Sequence, residues 1–146
     1  METFIKDSDL LIQAFGKFPT FHDAEVVEIS LKRHFGEELC PTLFAFIRIK
    51  NYQTNEIFLV NLIFKSIFGL RLENFNHQNV LGDLLISDFS EELFEKIKND
   101  ERLLGVVGER KLENLNYYVK FEYCFGVEAE FLCGEIILKS VRKIEK

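Results

Sequence analysis

The chain has few of the residues that build metal centres, disulfide scaffolds or membrane segments. Its 146 residues include no Trp, one Met, two Pro and three Cys. Cys40, Cys124 and Cys133 form neither a CxxC pair nor a Cys/His zinc spacing, so no structural metal site or disulfide framework is indicated. No segment reaches the roughly 18 consecutive apolar residues of a membrane span, and the first residues lack the features of a secretory signal. The sequence therefore predicts a cytoplasmic protein with no membrane association, no cofactor and no metal.

Motifs that bind phosphate or carry out hydrolysis are also missing. The sequence contains no GxGxxG, no GxxxxGK[ST] and no GxSxG pattern, which removes the common nucleotide-binding sites and the hydrolase nucleophile elbow. The net charge is -6, and the 18 Lys and Arg residues are scattered along the chain. This charge balance argues against a nucleic-acid surface and favours a basic partner.

What the chain does contain is phenylalanine, with 16 Phe and 4 Tyr in an alternating apolar pattern. Alternation with a period of two predicts strands, and the length predicts one domain over residues 1–146. The fold class predicted is α+β: a single, mainly antiparallel, curved sheet of about seven or eight strands. An N-terminal helix ending at Gly16 and a second helix near residues 90–104 should pack on this sheet. The predicted strands cover residues 25–32, 42–50, 56–65, 67–75, 80–89, 115–125, 127–133 and 135–141.

One short stretch gathers a histidine and two carboxylates, His22, Asp23 and Glu25, between Pro19 and the first long strand. These residue types can ligate a metal or act as general acid and base. In an extended segment, however, His22 and Asp23 would point to opposite faces while Asp23 and Glu25 would share one. The structural interpretation is that the polar residues hydrogen-bond the backbone and orient the chain into the strand. His34 and His77 have no partner at a diagnostic spacing and are interpreted as exposed bystanders.

The same stretch carries a family resemblance. Residues 18–26, FPTFHDAEV, resemble the W-P-S-F-H-D-A-E-V opening of the immunity protein 50 family of bacterial polymorphic-toxin systems, with Phe18 in place of the usual Trp. The resemblance extends to the turn at residues 79–83, NVLGD, and to the pattern G-x-E-x-x-F-x-C at residues 126–133.

This resemblance implies a protein that binds a cognate toxin domain, basic in charge, and blocks it without turnover of its own. It makes four residues candidate contacts or organisers of the strand entry: His22, Asp23, Glu25 and Glu28. Two alternatives stay open. One is a small metal-dependent hydrolase that uses His22, Asp23 and Glu25, and the other is a homo-oligomeric structural module that pairs through an exposed Phe face.

Overall fold

The structure, a computed structural model, describes residues 1–33, 41–97 and 115–144. In these residues a short 3-10 helix (Glu2–Phe4) precedes nine strands and two α-helices. The strands are β1 (Ile5–Lys6), β2 (Glu25–Lys32), β3 (Thr42–Lys50), β4 (Ile57–Lys65), β5 (Phe68–Glu73), β6 (Val80–Asp88), β7 (Tyr117–Phe125), β8 (Glu128–Cys133) and β9 (Glu135–Ile144). The helices are α1 (Asp9–Phe15) and α2 (Glu91–Ile97). None of the described helices has the length and apolar character needed to cross a bilayer.

All nine strands belong to one sheet, in the order β1-β9-β4-β3-β2-β6-β7-β8-β5. Every neighbouring pair is antiparallel except β1 and β9, which run parallel. The predicted antiparallel sheet is confirmed, but the predicted number of strands was too low. The additional strand, β1, has two residues, which is too few to show an alternating pattern in the sequence.

A long bent ribbon connects the two ends of this sheet. β4 continues through Ser66 into β5, and β8 continues through Gly134 into β9. Lys65 pairs with Glu135 on one side of the bend, and β5 pairs with β8 on the other. The amide of Gly134 donates a hydrogen bond to the Lys65 carbonyl at 2.9 Å. Strands that switch layers through bends are typical of sheets that fold over onto themselves.

The aromatic core shows how far the sheet folds over. Neighbouring strands lie about 4.8 Å apart, so β4 and β7, four positions apart, would be separated by about 19 Å in a flat sheet. The ring centroids of Phe64 on β4 and Phe121 on β7 are instead 6.0 Å apart, and Phe131 on β8 lies 5.1 Å from Phe64. All three side chains are buried. The sheet is therefore strongly curved, and its two layers enclose a phenylalanine core.

The N-terminal helix packs against this sheet, as predicted. α1 ends at Gly16, whose φ of 79° lies in the left-handed region and whose amide donates to the Ile12 carbonyl at 2.7 Å. Leu11 and Phe15 are buried, and the Phe15 ring centroid lies 4.7 Å from that of Phe58 on β4. β4 itself is buried on both faces, because its sequence is apolar at nearly every position.

The second helix is shorter in the described residues than the predicted segment 90–104. α2 begins after Ser90, whose hydroxyl accepts a hydrogen bond from the Leu93 amide at 3.2 Å, and it ends at Ile97. Residues 98–104 and the side chains of Phe94 and Ile97, predicted to form its apolar stripe, lie outside the described part of the chain. Among the described residues the sheet dominates, and the helical part is smaller than predicted.

Candidate functional site

The stretch that carries the histidine and carboxylates forms a tight turn followed by a strand. Phe21 is fully buried, and the Ala24 amide donates to its carbonyl at 3.0 Å. Asp23 has a φ of 63°, a left-handed conformation that Asp tolerates better than most residues. The His22 amide donates to the Thr20 hydroxyl at 3.1 Å. The turn thus places His22 and Asp23 outside while Phe21 and Ala24 enter the core.

This turn lies at the junction between two parts of the sheet. β2 and β6 share a single register pair, Glu25 with Val80. Backbone hydrogen bonds from the turn extend that contact: the Asp23 amide donates to the Leu81 carbonyl at 3.0 Å, and the Leu81 amide donates to the Ala24 carbonyl at 2.8 Å. The Val26 amide also donates to the Asn79 carbonyl, at 2.8 Å. The stretch therefore holds β2 against β6.

The His22 side chain takes part in the same junction. Its Nδ1 lies 2.6 Å from the Gly82 carbonyl oxygen, and its Nε2 lies 3.6 Å from Asp23 Oδ2. The hydrogen bond to Gly82 raises the pKa of His22 most, the negative charge of Asp23 raises it further, and burial opposes both; the charges of Asp83 and Glu122 add to the increase. The side chains of His22 and Asp23 remain 63% and 49% exposed, so both can be reached from solvent.

The other two predicted residues do not join His22. Glu25 forms an ion pair with Arg48 on β3, with 3.4 Å between Oε2 and Nη1. Glu28 is exposed on β2, beyond a register shift between Val26 and Glu28. The expectation, made for an extended segment, that Asp23 points away from His22 was wrong. The turn at Asp23 breaks the two-residue alternation and moves its carboxylate towards His22.

Two carboxylates that the sequence did not single out complete the surroundings of His22. Asp83 pairs with Glu122 across β6 and β7, one position beyond the buried pair of Leu84 and Phe121. Because side chains alternate along a strand, Asp83 and Glu122 project from the outer face of the sheet. Asp83 ends the NVLGD stretch, which the sequence indicated as a turn and of which residues 80–83 instead lie in β6. For Glu122 the sequence shows only a position in an alternating strand. Such a pattern does not reveal which residues of other segments lie close to it.

An exposed phenylalanine lies on the same outer face. Val80 pairs with Glu25 on one side and with Phe125 on the other, and cross-strand partners share a face. Val26, next to Glu25, is buried, so this row points away from the core. Phe125 is 47% exposed. We call the outer face formed by His22, Asp23, Asp83, Glu122 and Phe125 the junction surface.

The segments behind the junction surface fit closely against one another. The Asn79 side chain is buried; its Oδ1 accepts from the Asn76 amide and its Nδ2 donates to the Asn76 carbonyl, both at 2.8 Å. Gly126 has a φ of 80°, and a Cβ atom there would lie 2.2 Å from the Gln78 carbonyl oxygen. The stretches at 18–26, 79–83 and 126–133, which are far apart in sequence, thus meet at this junction.

The remaining chemistry-bearing residues lie elsewhere. His77 Nδ1 contacts the neighbouring Asn76 Oδ1 at 2.7 Å, and His34 lies outside the described residues. Cys124 is exposed and Cys133 is buried, and both are free thiols. Burial raises the pKa of the Cys133 thiol to about 12, which makes it a poor nucleophile. In residues 1–33, 41–97 and 115–144, no group of three or more His, Cys, Asp or Glu side chains is arranged to hold a metal ion.

Comparison with known protein families gives a match that covers most of the chain. The family model described as Immunity protein 50 matches residues 7–118, which include α1, the whole stretch 18–26 and the NVLGD stretch at residues 79–83. Searches of curated proteins and of solved structures give no match. Since the match covers well over half of the 146 residues, the chain belongs to the immunity protein 50 family.

Proposed function

We propose that this protein is a non-catalytic bacterial immunity protein that binds a cognate toxin domain in the cytoplasm and neutralises it. Membership of the immunity protein 50 family is the observation that carries the proposal. Inhibition by such a protein requires a stable one-to-one complex and no chemical step. The relevant property of the molecule is therefore its surface rather than a reactive centre.

The contacts that the side chains of residues 18–26 make support a binding role. His22 is hydrogen-bonded to a backbone carbonyl, and Glu25 is paired with Arg48. The backbone of the same stretch supplies the hydrogen bonds between β2 and β6. These contacts give the stretch a structural purpose, which accounts for its distinctive sequence without invoking catalysis.

The charge of the molecule supports a basic partner. The net charge is -6, and the junction surface presents three carboxylates, from Asp23, Asp83 and Glu122, around one histidine. A surface of one sign accelerates association with a partner of the opposite sign. A basic toxin domain fits this charge.

We further propose that residues 1–146 act as a single domain. The core cluster is continuous and takes buried side chains from β1, from α1 and from strands of both layers as far as β9. Such a domain should unfold in one cooperative transition, so a second transition in calorimetry would contradict this proposal.

Affinity capture followed by reconstitution tests the proposed function. The tagged protein is used to capture partners from its native lysate at moderate salt, and the recovered proteins are identified by mass spectrometry. A captured toxin domain is then purified, mixed with this protein and measured by light scattering and in a growth assay. We expect a one-to-one complex and restored growth.

A known toxin and immunity pair processed in parallel provides the control. If the control pair is retained and no toxin is recovered, or if growth is not restored by the captured pair, the proposed function is wrong. A stoichiometric divalent metal in the purified protein would instead favour the metal-dependent hydrolase.

A further inference from the structure

The junction surface combines an exposed aromatic ring with three carboxylates around one histidine. Phe125 is 47% exposed at the end of β7, in a row with Val80 and Glu25. Large aromatic side chains near the centre of a contact contribute most of the binding energy in many interfaces. A half-exposed phenylalanine on a paired strand is held in place by its neighbours, so little conformational freedom would be lost when a partner covers it.

In the described part of the chain, Asp83 and Glu122 form no ion pair with lysine or arginine, although Lys120 lies two residues before Glu122 on the same side of β7. Asp83 and Glu122 pair across the strands, and Asp23 lies 3.6 Å from His22. Arg48 forms its ion pair with Glu25, in the row of Phe125 rather than in that of Asp83 and Glu122. Glu122 lies three residues before Phe125, about 10 Å along the strand, so a single partner surface can cover both.

We propose that the junction surface is the docking site for a basic surface of the toxin domain, with Phe125 as the apolar anchor and Asp23, Asp83 and Glu122 as the groups that pair with Lys and Arg of the partner. The inference rests on the proposed function and adds the place on the molecule where the toxin domain binds. Charge complementarity selects this occupant: a second copy of the same chain would bring the same three carboxylates against themselves, which is unfavourable.

Substitutions that remove charge and conserve side-chain shape test the carboxylates. Asp83→Asn and Glu122→Gln remove two charges while conserving shape, and asparagine retains the side-chain oxygen that accepts from the Leu84 amide. The matched control is the pair Glu73→Gln and Asp88→Asn, which removes the same charge from exposed ends of β5 and β6.

A second pair of variants tests the aromatic anchor. Phe125→Ser removes the ring, and Leu31→Ser removes an apolar side chain that is 51% exposed. Leu31 lies six residues beyond Glu25 on β2, about 20 Å away along the strand. Thermal denaturation of each variant shows whether it is folded before binding is measured.

The experiment uses the toxin domain recovered and neutralised in the preceding test. Association and dissociation rates are measured by biolayer interferometry at two salt concentrations. We expect the Asp83 and Glu122 double variant to associate about tenfold more slowly at low salt, with a smaller difference at high salt. We expect Phe125→Ser to dissociate at least about tenfold faster. Both controls should stay within about twofold of the wild type.

The outcomes separate the two proposals. If the wild type neutralises the toxin and both junction variants bind within about twofold of it, the docking site is wrong and the immunity function stands. If light scattering shows a dimer that Phe125→Ser converts to a monomer while toxin affinity is unchanged, the surface belongs to a second copy. If the wild type neutralises no toxin, the proposed function and the docking site fall together.

Discussion

Gly126 and Gly16 offer a matched test of how tightly the junction is packed. Both have nearly the same left-handed φ, 80° and 79°. A Cβ atom at Gly126 would lie 2.2 Å from the Gln78 carbonyl oxygen and 2.8 Å from Asn79 Oδ1, whereas a Cβ atom at Gly16 would meet nothing within 4 Å. Alanine therefore imposes the same backbone strain at both positions and a steric clash at only one.

The expected losses in the free energy of unfolding follow from the backbone strain and the steric clash. A left-handed conformation costs an alanine about 1–2 kcal/mol, and this cost applies to Gly16→Ala and Gly126→Ala alike. Overpacking adds about 1–3 kcal/mol where the neighbours must shift, and a backbone carbonyl cannot swing aside as a side chain can. We expect destabilisation of about 1–2 kcal/mol for Gly16→Ala and about 2–5 kcal/mol for Gly126→Ala. The entropy lost by the unfolded chain is the same in both and cancels in the difference.

Urea denaturation followed by circular dichroism measures both free energies of unfolding. Hydrogen exchange adds a local readout, because displacement of Asn79 should weaken the bond from the Val26 amide to the Asn79 carbonyl. Val26 should exchange faster in Gly126→Ala and be unchanged in Gly16→Ala. Equal destabilisation of the two variants, with no change at Val26, would refute the close packing of the Gly126 turn against the junction.

Three further measurements test other parts of the structure. His22→Ala should lower the denaturation midpoint more at about pH 5.5 than at about pH 8.5. The pKa of His22 is raised above 6.5 in the folded protein, so the stability it contributes is complete below pH 6.5 and is lost as the pH rises through the pKa of the folded state. An equal loss at the two pH values would contradict this. Phe64→Ala should cost about 3–5 kcal/mol by opening the aromatic cluster, and Phe125→Ala less than about 1 kcal/mol, in urea titrations. Thiol labelling of the folded protein, mapped by mass spectrometry, should modify Cys124 and spare Cys133, so early labelling of Cys133 would show that the core opens readily.

Local patterns predicted most of the strands closely. The ranges 25–32 and 42–50 match β2 and β3 residue for residue, and the helix stop at Gly16 is correct. These features depend on alternation and on backbone preferences of neighbouring residues, which a single sequence displays. β1 was missed because its pairing with β9 joins residues 5 and 136, and no local pattern encodes such a contact.

The candidate site was located by the sequence but its geometry was not. The resemblance in residues 18–26 indicated the correct family, and His22 and Asp23 do lie together on the surface. The separation of Glu25 from them depends on a left-handed Asp23 and on the ion pair with Arg48. Asp83, Glu122 and Phe125 could not be grouped with His22 before the register of β6 against β7 was known.

By itself, the sequence determined that the chain forms a phenylalanine-rich antiparallel sheet and that it carries the signature of its family, because both depend on residue types and their spacing. Only the tertiary structure decided what the stretch around His22 does. Its hydrogen-bond partner Gly82 is 60 residues away in the chain. A backbone group accepts a hydrogen bond whatever its side chain is, so the sequence around residue 82 does not reveal which distant segment will use it.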